Sequence, residues 1–234
     1  MAKESRHPIE QQDILWAEYF LDEMSVRRNG GNPHAGATYP TFFNGIGIFD
    51  GITAEIDYPR HLFHLSRPER AFSIRTRVYL TDTDASVFLQ LYDNAFNFKE
   101  FRFMIAGIWP VVGNADKFVL ELWDTVGTAG AIMVGRSYNT ALTTIALNKW
   151  TEFVATYDGR GGANAQDGIC LYMDGVRVDD TDIIYDIHGS DYVNMKYSSD
   201  LIYQVGRNVE GKMEFIEVWN RVLTPEEISN MFGS

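Results

Sequence analysis

The chain has 234 residues, of which 45% are hydrophobic and 14% aromatic, and it carries a net charge of −12 at pH 7. A chain of this length buries about 70% or more of its extended surface on folding, so it needs no disulfides. The negative charge argues against nucleic acid and against insertion into an anionic membrane, since basic side chains supply most of the affinity for both. A single cysteine, Cys170, excludes an intrachain disulfide.

Residues 1–40 differ from the rest and are predicted to form an N-terminal extension. The first residues are polar and lack an apolar core, so we expect no signal peptide, no membrane insertion and synthesis in the cytoplasm. Between Pro8 and Gly30, apolar residues recur at helical spacing, which predicts an amphipathic helix. This helix either packs on its own domain or docks on a partner subunit. The apolar residues of that predicted interface are Ile9, Trp16, Phe20 and Met24.

From residue 41 onward the pattern is that of short strands. Phe72, Ile74, Val78 and Leu80 alternate with polar residues, which predicts a strand with one face in a core. Turn signals recur every ~8–12 residues, which favours a sandwich over βαβ units. The remaining predicted strands of this part of the chain lie near residues 41–50, 52–56, 87–91, 101–105, 118–122, 131–138 and 143–147.

The C-terminal part gives the sharpest signals. Strand patterns occur at residues 150–159, 169–178, 201–207 and 211–223. Asp174-Gly175 separates two of these runs, and both residues tolerate the positive φ of a hairpin turn. Thr224 is predicted to cap a short helix, with Pro225 at its first position and Glu227 completing a capping box.

Four motifs in this stretch resemble those of laminin-G-like jelly rolls of the concanavalin A-like lectin/glucanase superfamily. Each motif is weak alone, but their order and spacing match. The resemblance implies an all-β, antiparallel jelly-roll sandwich over residues 41–234, with the extension before it and a short C-terminal helix after it. Glu214 departs from the family, which often has Asp there. The matching residues are Trp150, Thr156-Tyr157-Asp158-Gly159, Leu171-Tyr172, Asp174-Gly175, Glu217-Val218, Asn220-Arg221 and Leu223-Thr224.

The resemblance also implies calcium as a cofactor, because members of the family often hold it with aspartates and loop carbonyls. Hard oxygen ligands in loops suit this ion. Solvated turn residues are the alternative, and Asp174 fits a hairpin better than a metal site. The calcium candidates are Asp50, Asp82, Asp84, Asp180 and Asp182.

Sugar binding would use exposed aromatic rings with polar neighbours. Trp109 lies in an apparent hairpin loop, and Tyr192 and Tyr197 lie in a long segment without a clear strand pattern. Arg75 and Arg77, on the polar face of their strand, are candidate hydrogen-bond donors. An interface or a locally packed flap would explain the same residues.

No catalytic pattern is evident, so we expect a protein that is not an enzyme. Retaining glycosidases place two carboxylates about 5–5.5 Å apart, which on a strand suits positions two residues apart. Glu214 and Glu217 are three apart, as are Glu121 and Asp124, which puts each pair on opposite faces. A glycan-active hydrolase or lyase is therefore the remote alternative.

Two functional hypotheses follow. The first is a structural protein of an assembly, such as a capsid-decorating or tail-associated component of a phage virion, with other subunits or copies of itself as partners. The missing signal peptide and the distinct N-terminal segment motivate it. The second is a carbohydrate-binding module, and a decorating protein could also bind glycans.

Overall fold

The computed structural model describes residues 13–63, 65, 70–83, 85–93, 98–106, 117–125, 132–138, 145–186, 192–195 and 201–232, with the backbone alone in 92–93, 98–99, 125, 132–138 and 180–186. In chain order the elements are β1 (Ile14–Glu18), α1 (Glu23–Arg28), β2 (Asn32–Pro33), β3 (Thr41–Phe42), β4 (Gly47–Asp50), β5 (Ile56–Tyr58), β6 (Phe72–Leu80), β7 (Val87–Asp93), β8 (Phe98–Ala106), β9 (Lys117–Thr125), β10 (Ile132–Tyr138), β11 (Trp150–Tyr157), β12 (Ile169–Met173), β13 (Val176–Arg177), β14 (Asp179–Asp186), β15 (Tyr203–Val205), β16 (Glu210–Trp219) and α2 (Pro225–Phe232).

These strands form two antiparallel sheets that pack as a sandwich, as predicted. The first sheet has the order β13-β12-β11-β6-β16-β4-β3, and β1 also pairs with β16. The second has the order β14-β10-β9-β8-β7-β15-β5-β2. The first and last described strands therefore pair in the first sheet, since β1 lies beside β16. Among the described residues, no helix is long and apolar enough to cross a membrane.

Aromatic rings join the two sheets at the centre of the core. Phe153 of the first sheet contacts Phe88 and Phe118 of the second, with ring centroids 5.2 and 4.9 Å apart. Phe103 contacts the same two rings at 5.6 and 5.4 Å. Such edge-on and tilted pairs add about 0.5–1.5 kcal/mol each beyond the burial of their area.

The amphipathic helix predicted for the N-terminal segment is wrong over residues 14–18, which form strand β1. Trp16 and Phe20, which would contact a partner if the segment docked, are buried in the domain's own core, as the alternative of packing on its own domain predicts. Trp16 packs edge-on against Tyr58, and Phe20 packs against Phe49. Both are thus excluded as exposed contacts. Met24 is 66% exposed, and Ile9 lies outside the described residues.

Glu18 explains why the strand was not recognised. The alternation of β1 buries Trp16 and Glu18, so one of its two core positions carries a carboxylate. Tyr58 Oη and Asn29 Nδ2 donate hydrogen bonds to Glu18 Oε2 at 2.8 and 3.0 Å. Helix α1 begins later, where Asp22 and Ser25 form a reciprocal capping box.

The C-terminal predictions are confirmed. Asp174 and Gly175 have φ of 47° and 80°, as the hairpin turn requires. The Glu227 N–H donates to Thr224 Oγ1, and Glu227 accepts from the Thr224 N–H, which is the predicted capping box. Helix α2 then covers the outer face of the first sheet, where Ile228 packs with Trp219.

Candidate functional site

Five polar side chains lie in one row across the outer face of the second sheet, and we call this row the polar strip. Each is flanked along its strand by two core residues, so the period of two places it on the face turned away from the core. In the ladder, Asp57 lies opposite Gln204, Gln204 opposite Gln90, Gln90 opposite Arg102, and Arg102 opposite Glu121. Four strand spacings separate its ends, which makes the strip about 19 Å long.

Hydrogen bonds join neighbours along the polar strip. Gln90 Nε2 donates to Gln204 Oε1 at 2.6 Å, and Gln204 in turn hydrogen-bonds Asp57. At the other end, Arg102 Nε donates to Glu121 Oε2 at 2.6 Å. The Arg102 guanidinium also lies 5.5 Å from the ring centre of Trp123, which shares that face. The strip is therefore a preorganised row of planar donors and acceptors.

The strip is more buried than an outer sheet face usually is. Gln90, Gln204 and Glu121 are 2%, 6% and 1% exposed. The side chains of Arg102 and Asp57 are 12% and 16% exposed. Buried polar side chains are uncommon, because burying one costs free energy unless hydrogen-bond partners in the protein replace water. Arg102 and Asp57 are therefore the members of the strip that offer most surface to a ligand.

At one end of the strip, three side chains form a second feature, which we call the edge triad: His34, Glu55 and Asp57. Their donor atoms lie within 4.8 Å of one another. His34 Nδ1 is 2.9 Å from Asp57 Oδ2 and 3.3 Å from Gln204 Nε2. Burial raises the pKa of both carboxyl groups, although His34 and Arg207 partly offset it.

The edge triad contains an acid pair that the sequence analysis missed. Glu55 directly precedes β5 and Asp57 lies within it, so the two carboxylates have the two-residue spacing that places side chains on one face of extended chain. The signal was present as Glu-Ile-Asp at residues 55–57. The histidine could not be read in the same way, since its position depends on the pairing of β2 with β5.

The outer face of the first sheet carries two arginines that are paired with three glutamates. Arg75 is buried and donates to both Glu152 and Glu217. Arg77 is paired with Glu214, and its guanidinium lies 5.2 Å from the centre of the Trp150 ring. The prediction that Glu214 and Glu217 lie on opposite faces is wrong, because the register of β16 shifts between Met213 and Phe215 and both carboxylates pair with arginines of this face. Arg75 was a predicted sugar-binding residue, but its guanidinium is already hydrogen-bonded to two carboxylates. The side chain of Arg77, in contrast, is one-third exposed.

The predicted aromatic contacts do not form a described site. Tyr192 belongs to the hydrophobic core cluster, so its ring packs against core side chains and does not lie on the outer face of a sheet. Trp109 and Tyr197 lie outside the described residues.

The predicted calcium ligands are placed as follows. Asp50 caps a turn: it accepts hydrogen bonds from the N–H groups of Ile52, Thr53 and Ala54. Burial opposes ionisation of Asp50, yet these bonds and one from the Thr53 hydroxyl lower its pKa. This capping role accounts for the carboxylate without an ion.

The other four calcium candidates have no described ligand geometry. Asp82 is exposed after β6, and Asp84 lies outside the described residues. Asp180 and Asp182 lie within strand β14 rather than in a loop, and their side chains are outside the description. In the described part of the chain, the edge triad is the one group of three or more His, Cys, Asp or Glu side chains with ligand atoms this close, and it contains none of the five predicted aspartates.

A family model described as the concanavalin A-like lectin/glucanases superfamily, Laminin_G_3, matches residues 50–229 of the chain. This confirms the resemblance identified in the sequence. No curated protein matches the chain in sequence.

Solved structures share the fold at low sequence identity. Domain 4 of AbnA, a GH43 extracellular arabinanase from Geobacillus stearothermophilus solved with arabinotriose, superposes with a TM-score of 0.55 at 14% identity, covering 94% of this chain and 98% of that one. The binding domain of Paraclostridial Mosquitocidal Protein 1 gives 0.57 at 11% identity, covering 95% and 52%. The receptor binding domain of botulinum neurotoxin C/D mosaic serotype gives 0.56 at 12% identity, covering 95% and 51%. The chain thus spans nearly all of the arabinanase domain but only about half of each toxin binding domain.

Proposed function

Because the chain belongs to the Laminin_G_3 family of the concanavalin A-like lectin/glucanases superfamily, we propose that it is a non-catalytic glycan-binding module whose ligand lies along the polar strip. The strip is the observation that carries the proposal. Sugar hydroxyls both donate and accept hydrogen bonds, and the two glutamine amides of the strip offer both functions. The arabinanase domain that shares the fold was solved with arabinotriose, which supports an oligosaccharide ligand.

The geometry of the strip also favours a class of glycan. Its length of about 19 Å, from four strand spacings, suits an oligosaccharide rather than a single sugar ring. Its charged members are one cation, Arg102, and two anions, Asp57 and Glu121, and the whole chain is acidic. A net negative site repels carboxylated and sulfated sugars, so we expect neutral glycans to bind better than acidic ones.

The module is proposed to bind without cleavage because the carboxylates of the strip are too far apart. Glycosidases separate their two carboxylates by about 5–9.5 Å. Asp57 and Glu121 stand at opposite ends of the strip, about 19 Å apart. The closer pair, Glu55 and Asp57, shares a histidine and is assigned a different role below.

The test is a glycan array with the wild-type protein, followed by the double variant Arg102→Met/Glu121→Leu. Both members are replaced together because removing one member of a buried ion pair costs about 3–5 kcal/mol, while replacing both with apolar residues is often neutral. The control is Arg27→Met/Glu23→Leu, which removes an Arg–Glu pair from helix α1 rather than from the second sheet.

Loss of two charged hydrogen-bonding groups should weaken glycan binding by at least about tenfold in the strip variant. The control should bind like wild type. Unchanged binding by the strip variant, or a wild-type protein that binds no neutral glycan, would overturn the proposal. Cleavage of the bound oligosaccharide, followed by mass spectrometry, would overturn its non-catalytic part.

A role in a phage virion is the second candidate, and it stays a prediction. Two of its four proposed contact residues, Trp16 and Phe20, are committed to the domain's own core. Among the described residues, exposed apolar side chains of the same region include Tyr19, Leu21, Met24 and Phe43, which could serve as contacts. Copurification of the tagged chain with phage particles tests this role.

A further inference from the structure

We propose that the edge triad, His34, Glu55 and Asp57, binds a divalent transition-metal ion of the zinc type. The site is independent of the glycan proposal, since it requires no sugar and uses only one residue of the polar strip. It also differs from the calcium sites expected from the sequence, both in its residues and in its chemistry.

Backbone pairing brings the three donors together. Asn32 and Pro33 of β2 lie opposite Asp57 and Ile56 of β5. The His34 N–H then donates to the Glu55 carbonyl at 3.1 Å, so the imidazole is tied beside the acid pair. The three donor atoms fall within 4.8 Å of one another. Zinc bonds of about 2.0–2.2 Å at tetrahedral angles place ligand atoms about 3.3 Å apart. Small side-chain movements at this sheet edge would close the difference.

One carboxylate oxygen of the edge triad has no hydrogen-bond partner that would stabilise its charge. Glu55 Oε1 is buried and has no hydrogen-bond partner in the structure. Two half-buried carboxylates share one imidazole, and the further cation near both of them, Arg207, belongs to an exposed residue. A buried carboxylate oxygen without a partner carries a free-energy cost, which a bound metal ion would remove.

The donor set selects the metal. Calcium and magnesium prefer six or more oxygen ligands, whereas imidazole with carboxylates suits zinc and its neighbours in the first transition row. Three protein ligands leave one tetrahedral position open for water or another ligand. A supporting layer is present as well: Gln204 hydrogen-bonds Asp57, and Gln90 holds Gln204. Such outer contacts orient metal ligands.

Isothermal titration of the EDTA-treated 234-residue chain with zinc chloride tests the proposal, with calcium chloride as the comparison. The variant His34→Ala removes the nitrogen ligand. The matched control His61→Ala removes an exposed histidine from the 3-10 turn at Arg60–Leu62. His34 is also partly exposed, so neither change should prevent folding.

We expect a single zinc equivalent to bind, calcium not to compete, and His34→Ala to weaken zinc binding by at least about tenfold, while His61→Ala binds as wild type does. Cobalt substitution should give the intense visible absorption of a tetrahedral site, lost in His34→Ala. Absence of zinc binding, or equal binding by His34→Ala and wild type, would overturn the site. Neither result bears on the glycan experiment, whose variants leave the triad intact.

Discussion

Phe20 provides a direct test of whether the N-terminal segment belongs to the domain core. Its side chain is fully buried, and its ring meets Phe49 edge-on at 5.7 Å between centroids. It lies so close to Gly47 that a Cβ there would stand 3.2 Å from Phe20 Cβ. Because glycine has no side chain to move into the space, Phe20→Ala should leave a cavity. The expected loss in the free energy of unfolding is about 3–5 kcal/mol.

Urea unfolding followed by far-UV circular dichroism and tryptophan fluorescence measures this loss. With an m-value of about 3 kcal/mol per molar urea, the midpoint should fall by about 1 M or more. Met24→Ala is the control from the same segment, since its side chain is 66% exposed and its loss should cost no more than about 0.5 kcal/mol. If both variants unfold at the same urea concentration, the segment is a detachable connector and the packing argument is refuted.

Two further predictions concern Glu18 and Gly211. Burial raises the pKa of Glu18 in spite of hydrogen bonds from Asn29 and Tyr58, so the folded state binds this proton more tightly than the unfolded state does. The free energy of unfolding should therefore fall as the pH rises above the ordinary glutamate pKa of 4.5. In urea titrations at several pH values, Glu18→Gln should show a smaller fall than wild type. Equal pH dependence of the two proteins would contradict this prediction. Gly211 has φ of +147°, and a Cβ there would lie 2.0 Å from the Tyr79 carbonyl oxygen. Gly36 is the control position: its φ is also positive, at +85°, but a Cβ there would meet no atom within 4 Å. Thermal unfolding should show a larger loss for Gly211→Ala than for Gly36→Ala, and equal losses would contradict the clash.

The sequence predicted those parts of the fold in which local signals and tertiary packing agree. In β6, the apolar residues Phe72, Ile74, Val78 and Leu80 are all buried, as the alternation indicated. The Asp174-Gly175 turn is formed by residues that accept positive φ, so it too can be predicted from the local sequence. The N-terminal strand was misread because Glu18 occupies a core position. Hydrogen bonds from the long-range partner Tyr58 and from nearby Asn29 help to stabilise the carboxylate there, and a local pattern cannot show the pairing with Tyr58.

The candidate site was missed for a related reason. Periodicity in the sequence marks the apolar face of each strand, while the proposed functional groups lie on the opposite face. Gln90 and Glu121 each stand between two core residues, a pattern visible in the sequence. Their alignment into one row is not visible, because it depends on the order β5-β15-β7-β8-β9. In that order β15 comes from residues far along the chain, and it inserts Gln204 between Gln90 and Asp57.

Asp57 connects the two proposals, because it ends the polar strip and also belongs to the edge triad. A metal ion held by Asp57 would fix the orientation of its carboxylate, and the hydrogen bond between Asp57 and Gln204 would then also orient the Gln204 side chain in the polar strip. Any effect of zinc on glycan affinity must then be matched by an equal effect of glycan on zinc affinity, since coupling between two bound ligands is reciprocal. The Arg102–Glu121 pair lies at the far end of the strip, so its replacement should weaken glycan binding while leaving zinc binding intact. That separation follows from the strand order alone, and it makes the two sites distinguishable within one sheet.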